Sequence, residues 1–293
     1  MSLCEDYNYY CEDYNYYYGN TGISIKDVQA VELEMLIEFD RICRKNNIPY
    51  QLNGGTLLGA VRHKGFIPWD DDIDVALKRS DYEFFLKCCE QDLSEQYFLQ
   101  TCFTDPASVI QFAKIRKNGT KYENDVDNLP TSHTGIWLDI FPFDNVKAES
   151  LATKWQRFEI QFFYAMTTAS VENRIKLSPK LWKRVVRRIF SWMLYFIPKN
   201  TIDKKLLSVF KRYDKQHTEN VTLLCDSGTK SNCSRNLQNA DTFNDLIELE
   251  FCGHLFWAPR NYDLILTRMY GDYLKLPPKE KRTPWHGITV VKI

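Results

Sequence analysis

The chain has no charge bias, no cysteine-pairing pattern and no apolar run of membrane length. Each lack removes a class of protein. Over 293 residues, Lys+Arg and Asp+Glu are both 38, so the formal net charge is zero. Domains dedicated to nucleic acids are strongly basic, so no nucleic-acid partner is expected. The nine cysteines are odd in number and none sits in a C-x-x-C. Neither a disulfide framework nor a structural zinc site is signalled, and reduced thiols in a cytoplasm are expected. No basic segment followed by an apolar stretch opens the chain, so no secretory signal is expected. No run of eighteen apolar residues spans a bilayer. G-x-G-x-x-G and the P-loop G-K-[ST] are both missing, which excludes those two phosphate-binding fingerprints. What remains, with 44% hydrophobic and 26% charged residues, is an ordinary folded chain of one large domain or two small ones.

What is present begins with an acidic, tyrosine-rich direct repeat. Cys4-Glu5-Asp6-Tyr7-Asn8-Tyr9-Tyr10 recurs as Cys11-Glu12-Asp13-Tyr14-Asn15-Tyr16-Tyr17. Two copies are too few for a repeat fold, so residues 1–22 read as a flexible tail. Residues 26–47 place Val28, Val31, Met35, Leu36, Phe39 and Ile42 at helical spacing. A short strand is expected over 48–52. Thr56 is placed to cap a helix through Leu57, Leu58, Ala60 and Val61. Alternation predicts a strand over 72–77. Ser80 and Glu83 have the spacing of a capping box. Strands are expected over 97–103, 112–116 and 135–141, the last ended by Pro142, with a hairpin signal at Asn118-Gly119. This succession indicates an α/β or α+β domain around a mixed sheet. From about 150 to 215 the pattern turns helical and basic. A further strand over 246–251 and a helix between Asn261 and Gly271 follow.

The chemistry-bearing segment runs from Asn53 to Asp74. Its first device is a double glycine, Gly54-Gly55, at a helix start, where free N–H groups bind phosphate. Its second is Asp70, Asp72 and Asp74. In an extended chain these carboxylates share one face, roughly 6.6 Å apart. At an effective dielectric of about 20, each neighbouring pair repels by roughly 2.5 kcal/mol, which points to a cation between them. Hard carboxylate oxygens select Mg²⁺ or Mn²⁺. A calcium loop fails, because Val75 stands where that loop needs glycine and Asp81 where glutamate is usual. A solvent-exposed acidic edge also reads D-x-D-x-D. Phosphatases of the dehalogenase type and sugar-nucleotide glycosyltransferases carry a D-x-D after an apolar strand, whereas here the acids precede the apolar residues.

The run Gly54-Gly55-Thr56-Leu57-Leu58-Gly59-Ala60-Val61-Arg62-His63, followed by Gly65-Phe66-Ile67-Pro68-Trp69-Asp70-Asp71-Asp72-Ile73-Asp74, resembles the LicD family of phosphocholine transferases. That family is itself similar to fukutin and fukutin-related protein within the nucleotidyltransferase superfamily. Trp137-Leu138-Asp139-Ile140-Phe141-Pro142 resembles the family's next acidic strand. Tyr270-Gly271-Asp272-Tyr273 with Leu276-Pro277-Pro278 resembles its C-terminal block. Phe251-Cys252-Gly253 departs from the pattern, which has an acidic residue before the glycine. The resemblance implies a nucleotidyltransferase-type mixed-sheet core over 23–293, with a basic helical insertion at about 150–215. It implies metal-dependent transfer of a phospho-alcohol from a CDP-linked donor to a hydroxyl of a glycan, such as lipopolysaccharide or teichoic acid, or of a lipid-linked glycan. The implied metal ligands are Asp70, Asp72, Asp74 and Asp139, with Asp72, Asp74 and Asp139 catalytic and Asp139 the proton acceptor. Gly54, Gly55 and Thr56 are the expected phosphate turn. Arg62, His63, Lys114, Arg116, Arg282 and His286 are the further candidates for phosphate or substrate contact. A true nucleotidyltransferase and a non-catalytic module of the same fold are the rival readings. Residues 181–197, half cationic and half aromatic, are expected either to pack as an ordinary helix or to lie on the inner face of an anionic membrane.

Overall fold

The computed structural model describes residues 14, 16–19, 21–124, 132–170, 182, 185, 197–226 and 228–293. The first helix, α1 (Ile25–Lys45), is fixed at its start by a capping box between Ser24 and Asp27. Its predicted apolar face is buried from Val28 to Ile42. There follow β1 (Gln51–Leu52), α2 (Gly54–His63), β2 (Asp74–Lys78), α3 (Arg79–Asp92), β3 (Tyr97–Gln100), β4 (Ala113–Lys117), β5 (Lys121–Asn124) and β6 (Trp137–Val146). The second half holds α4 (Leu151–Ala169), α5 (Lys199–Phe210), β7 (Asn220–Leu223), α6 (Lys230–Arg235), β8 (Gln238–Asn239), β9 (Leu246–Phe251), β10 (His254–Pro259), α7 (Tyr262–Tyr270) and β11 (Ile288–Lys292).

Among the described residues, seven strands form one mixed sheet in the order β1-β2-β6-β4-β3, with β7 beside β6 and β8 beside β7. This is the α/β mixed architecture that the sequence pattern indicates. β6 is its axis: β2 pairs with it in parallel, while β4 and β7 pair antiparallel. Pro142 does not end β6, as its chemistry suggested. β4 occupies one edge as far as Ile140, and β7 takes over that edge from Phe143. The Asp139 N–H donates to the Ile73 carbonyl on the β2 side. By alternation the Pro142 nitrogen faces the opposite edge, in the gap between β4 and β7, where no ladder bond is missing.

The two faces of the sheet have different fates. Val75, Leu77, Ile115, Leu138 and Ile140 pack with Leu36, Phe39 and Ile42 of α1 in one apolar core. On the other face, Phe143, Val146 and Ala76 meet Ile160 of α4 and Leu206, Val209 and Phe210 of α5. That second layer covers only part of the face, and Asp74, Asp139 and Lys114 lie on the remainder. α3 follows β2 without a linker, so Ser80 and Glu83 make no capping box, and Glu83 instead pairs with Lys211 at 2.7 Å. The Asn118-Gly119 turn does not close a hairpin either: β4 stays in the main sheet, while β5 pairs with β11. Cys252 and Gly253 form the two-residue turn between β9 and β10, both with positive φ. That conformation favours Asn or Asp before the glycine, and here cysteine adopts it at φ 52°.

The N-terminal segment expected to be a free tail reaches into the core. Tyr17 bridges to Ser24. Tyr18 is buried, with its hydroxyl 2.8 Å from that of Tyr122. Residues 1–13 lie outside the described residues. So does the basic segment at 181–197, except for Trp182, Val185 and Ile197, which are exposed. Among the described residues, no helix is long and apolar enough to cross a membrane.

One buried ion pair ties α3 to β6. Arg79 Nε and Nη2 donate to the two Asp144 oxygens at 2.7 and 2.9 Å, and both side chains are almost wholly buried. Removing the guanidinium leaves Asp144 as an uncompensated buried charge, a change that costs about 3–5 kcal/mol. Arg79→Ala is therefore expected to lower stability by that amount in urea unfolding. A loss below about 1 kcal/mol, the range of exposed pairs, contradicts the pairing.

Candidate active site

The site is built where α2 and the start of β2 are stitched together. The Thr56 hydroxyl accepts from the Asp74 N–H at 2.8 Å, and the Asn53 N–H donates to the Asp74 carbonyl at 3.1 Å. Thr56 thus serves β2 rather than capping α2, whose N-cap is Asn53. The strand begins only at Asp74, so Asp70–Ile73 is an extended lead-in and not part of the ladder. α1 holds this lead-in through Gln29, whose Nε2 donates to the Asp70 carbonyl at 2.9 Å. The glycines have a steric task. Gly54 has φ +54°, and a Cβ there would stand 2.6 Å from Asp74 Oδ2. A Cβ at Gly55 would collide with Asp70 Oδ2. Backbone without side chains lets two carboxylates lie against the helix start.

Register brings the functional row together. Asp74 pairs with Asp139 across β2–β6, and Asp139 pairs with Lys114 across β6–β4. Asp72, Asp74 and Asp139 each offer an oxygen within 4.8 Å of the others. At an effective dielectric of about 20, each pair at that distance repels by roughly 3 kcal/mol. Lys114 offsets part of this: Nζ donates to Asp139 Oδ2 at 3.1 Å and stands 2.8 Å from Oδ1. Oδ1 itself makes no hydrogen bond. Burial, then the Asp72 and Asp139 charges, holds the Asp74 carboxyl well above the usual carboxylate range. Burial and Asp139 raise Asp72 to about 6, against the pull of His286. Burial and the Asp72 charge also raise Asp70, which lies beside Gly55 rather than within the group of three. An all-oxygen set of mutually repelling carboxylates fits a hard divalent ion.

The other candidates are distributed differently. His286 lines the cleft, its Nδ1 2.9 Å from Asp71 Oδ1 and its Nε2 3.7 Å from Asp72 Oδ2. Burial opposes its charge, but the Asp71 hydrogen bond and the Asp72 and Asp71 charges outweigh it and push the imidazole up to about 9. Arg62 turns away, its Nη1 donating to the Tyr273 carbonyl at 2.8 Å, and Nε contacts His63. The His63 ring stands edge-on to Trp69. Arg282 donates to the Pro277 carbonyl at 2.9 Å. Arg116 shares the face of Lys114, but its Nε donates to Gln100 Oε1 and its Nη1 to the Gly135 carbonyl. The cleft itself, about 560 Å³, is lined by Asn53, Gly54, Gly55, the acidic group and His286, and also by Asn232, Arg235 and Tyr270.

Two residues escaped the sequence reading. Asp71 is wholly buried and accepts from the Trp285 and His286 N–H groups, both at 3.1 Å, which seats the C-terminal segment against the site. Its signal was parity, because Asp71 alternates away from its acidic neighbours. Glu32 is also wholly buried, and neither of its oxygens has a hydrogen-bond partner among the described residues. Burial, then the charges of Asp72, Asp71, Asp70 and Asp139, raise its pKa well above the usual carboxylate range. Its helical spacing with Val28, Met35 and Leu36 was the signal available.

Residues 47–169, which hold the mixed sheet's row of carboxylates, match the family model described as LicD/FKTN/FKRP, nucleotidyltransferase domain. The lipopolysaccharide cholinephosphotransferase LicD of Haemophilus influenzae is 30% identical over 272 residues, which cover 90% of this chain and 96% of that protein. An uncharacterized protein of Rickettsia typhi is 27% identical over 184 residues, 54% of this chain and 60% of its own. One of Rickettsia prowazekii is 46% identical over 58 residues, 20% of this chain and 22% of its own. The chain belongs to the LicD family, and it is a phosphotransferase of that type.

Asp72→Asn and Asp74→Asn each remove an acidic oxygen from a mutually repelling group. Both are expected to abolish turnover while melting no lower than the parent in metal-free buffer. A fall of more than about 4 °C, roughly 1 kcal/mol or more for a chain this long, contradicts the repulsion. Gly55→Ala is expected to displace the Asp70 carboxylate and lose activity while keeping the far-ultraviolet dichroism of the parent.

Proposed function

We propose that this chain transfers a phospho-alcohol group, phosphocholine first among them, from a CDP-linked donor to a hydroxyl of a cell-surface glycan such as lipopolysaccharide. Similarity to the Haemophilus cholinephosphotransferase across 90% of the chain supports the reaction class. The observation that carries the chemistry is the Asp74–Asp139–Lys114 row facing a cleft beside the Gly54-Gly55 backbone. Asp72, Asp74 and Asp139 would hold Mg²⁺ or Mn²⁺, with Asp70 beside them. Such an ion, when bound, neutralises charge on the donor phosphates.

The protein's own part is placement and proton handling. The N–H groups at the start of α2 face the end of the cleft where a phosphate is to sit, and the absence of side chains at Gly54 and Gly55 allows close approach. Asp139, which lines the cleft, takes the proton of the attacking glycan hydroxyl. The new bond joins the glycan oxygen to the alcohol-bearing phosphorus. The bond broken is the pyrophosphate link, and CMP leaves with its electron pair. Lys114, in contact with both Asp139 oxygens, orients the carboxylate toward that proton. In this reading the protein works in the cytoplasm.

The test is incubation with CDP-choline, CDP-ribitol and CDP-glycerol, Mg²⁺ and lipopolysaccharide. The expected products are CMP and a glycan heavier by one phospho-alcohol, with turnover lost on chelation. Asp139→Asn is expected to slow the reaction by about a hundredfold or more. A glycan carrying the nucleotide itself, or unchanged activity in excess chelator, overturns the proposal.

A further inference from the structure

A nucleoside-diphosphate donor brings negative charge into a cleft whose floor is already acidic, so the protein must meet it with cations. The candidate cations have other obligations. Lys114 is committed to Asp139, Arg62 to the Tyr273 carbonyl, Arg282 to the Pro277 carbonyl, and Arg116 to Gln100 and Gly135. His286 lines the cleft but is held by Asp71.

Arg235 differs from all of these. It closes the last turn of α6, where the helix carbonyl end favours a cation, and its side chain is exposed in the wall of the same cleft. Among the described residues it makes no hydrogen bond and no ion pair. It rests on the face of Tyr270, with the guanidinium carbon 5.4 Å from the ring centroid, and within electrostatic reach of Asp226, which lines the same cleft. Tyr270 ends α7 and lines the cleft too. A guanidinium resting on an aromatic shelf keeps its planar donor fork free, and that fork matches phosphate oxygens bidentately.

We propose that Arg235, held by the Tyr270 shelf, is the residue that grips the donor's diphosphate in the cleft it shares with the carboxylate group. The assignment rests on reading the cleft as a nucleoside-diphosphate site. It gives the carboxylate group the task of positioning the reacting phosphorus and Arg235 the task of anchoring the anion. Tyr270 is a positioning residue, because it acts through the guanidinium.

The experiment is calorimetric titration of the full chain with CDP, and separately with inorganic pyrophosphate, in Mg²⁺ buffer. Parent, Arg235→Ala, Arg235→Lys, Tyr270→Leu and Arg260→Ala are compared. Arg260 serves as the control because it pairs with Asp245 on the surface. A lost charged hydrogen-bond pair corresponds to about 10- to 100-fold, so Arg235→Ala is expected to weaken both ligands by that factor. Arg235→Lys recovers part of the loss, Tyr270→Leu weakens binding several-fold, and Arg260→Ala changes nothing. Donor KM rises with Arg235→Ala, while the acceptor KM stays put. Binding of CDP by Arg235→Ala within twofold of a parent that binds it overturns the assignment and leaves the donor reading standing. Pyrophosphate bound in an Arg235-dependent way by a parent that ignores CDP sinks the donor reading and keeps the anion grip. A parent that binds neither sinks both.

Discussion

The constraint on which this structure turns is the crowding of like charge. Asp72, just before the sheet, and Asp74 and Asp139 on it place oxygens within 4.8 Å of one another. Left to themselves the groups would separate or stay protonated. The surrounding architecture denies them the first option. Thr56 and Asn53 bind both backbone groups of Asp74, β6 fixes Asp139 by register, and Gln29 holds the lead-in strand from below. One lysine, Lys114, partly compensates. The result is a site assembled at an electrostatic cost that a cation and an anionic substrate relieve together.

Much of this was legible in the chain. The apolar stripe of α1, the carboxylates at 70, 72 and 74, and the parity of Asp139 against Leu138 and Ile140 follow from periodicities of 3.6 and 2. The illegible parts have a common cause. Pro142 reads as a stop because sequence does not show that its bare nitrogen falls in the gap between two partner strands. Sequence does not show that Arg62, Arg116 and Arg282 donate to the backbone carbonyls of Tyr273, Gly135 and Pro277, 211, 19 and 5 residues away. Arg235 carried no motif at all, and only the docking of α6 against α7 gives it significance. Local pattern predicts which residues share a face, whereas the partner each charge finds is decided by tertiary contact.

The division of labour among the four adjacent acids illustrates the same point. Asp70, Asp72 and Asp74 point into the cleft, while Asp71, rotated away, anchors the Trp285–His286 segment through three donors. That segment is brought within reach by β11, which pairs with β5. A single aspartate run therefore contributes both the reactive floor and the clasp for the wall above it.

The clasp has a consequence for biosynthesis. Asp71 and its donors are 214 and 215 residues apart in sequence. While the polypeptide is still emerging from the ribosome, Asp71 leaves the tunnel long before its donors do. Fragments that terminate early carry the aspartate run without its roof, with a buried acid lacking its proton donors. The wall of the cleft at Trp285 and His286 is thus set in place only once that segment has folded back onto Asp71.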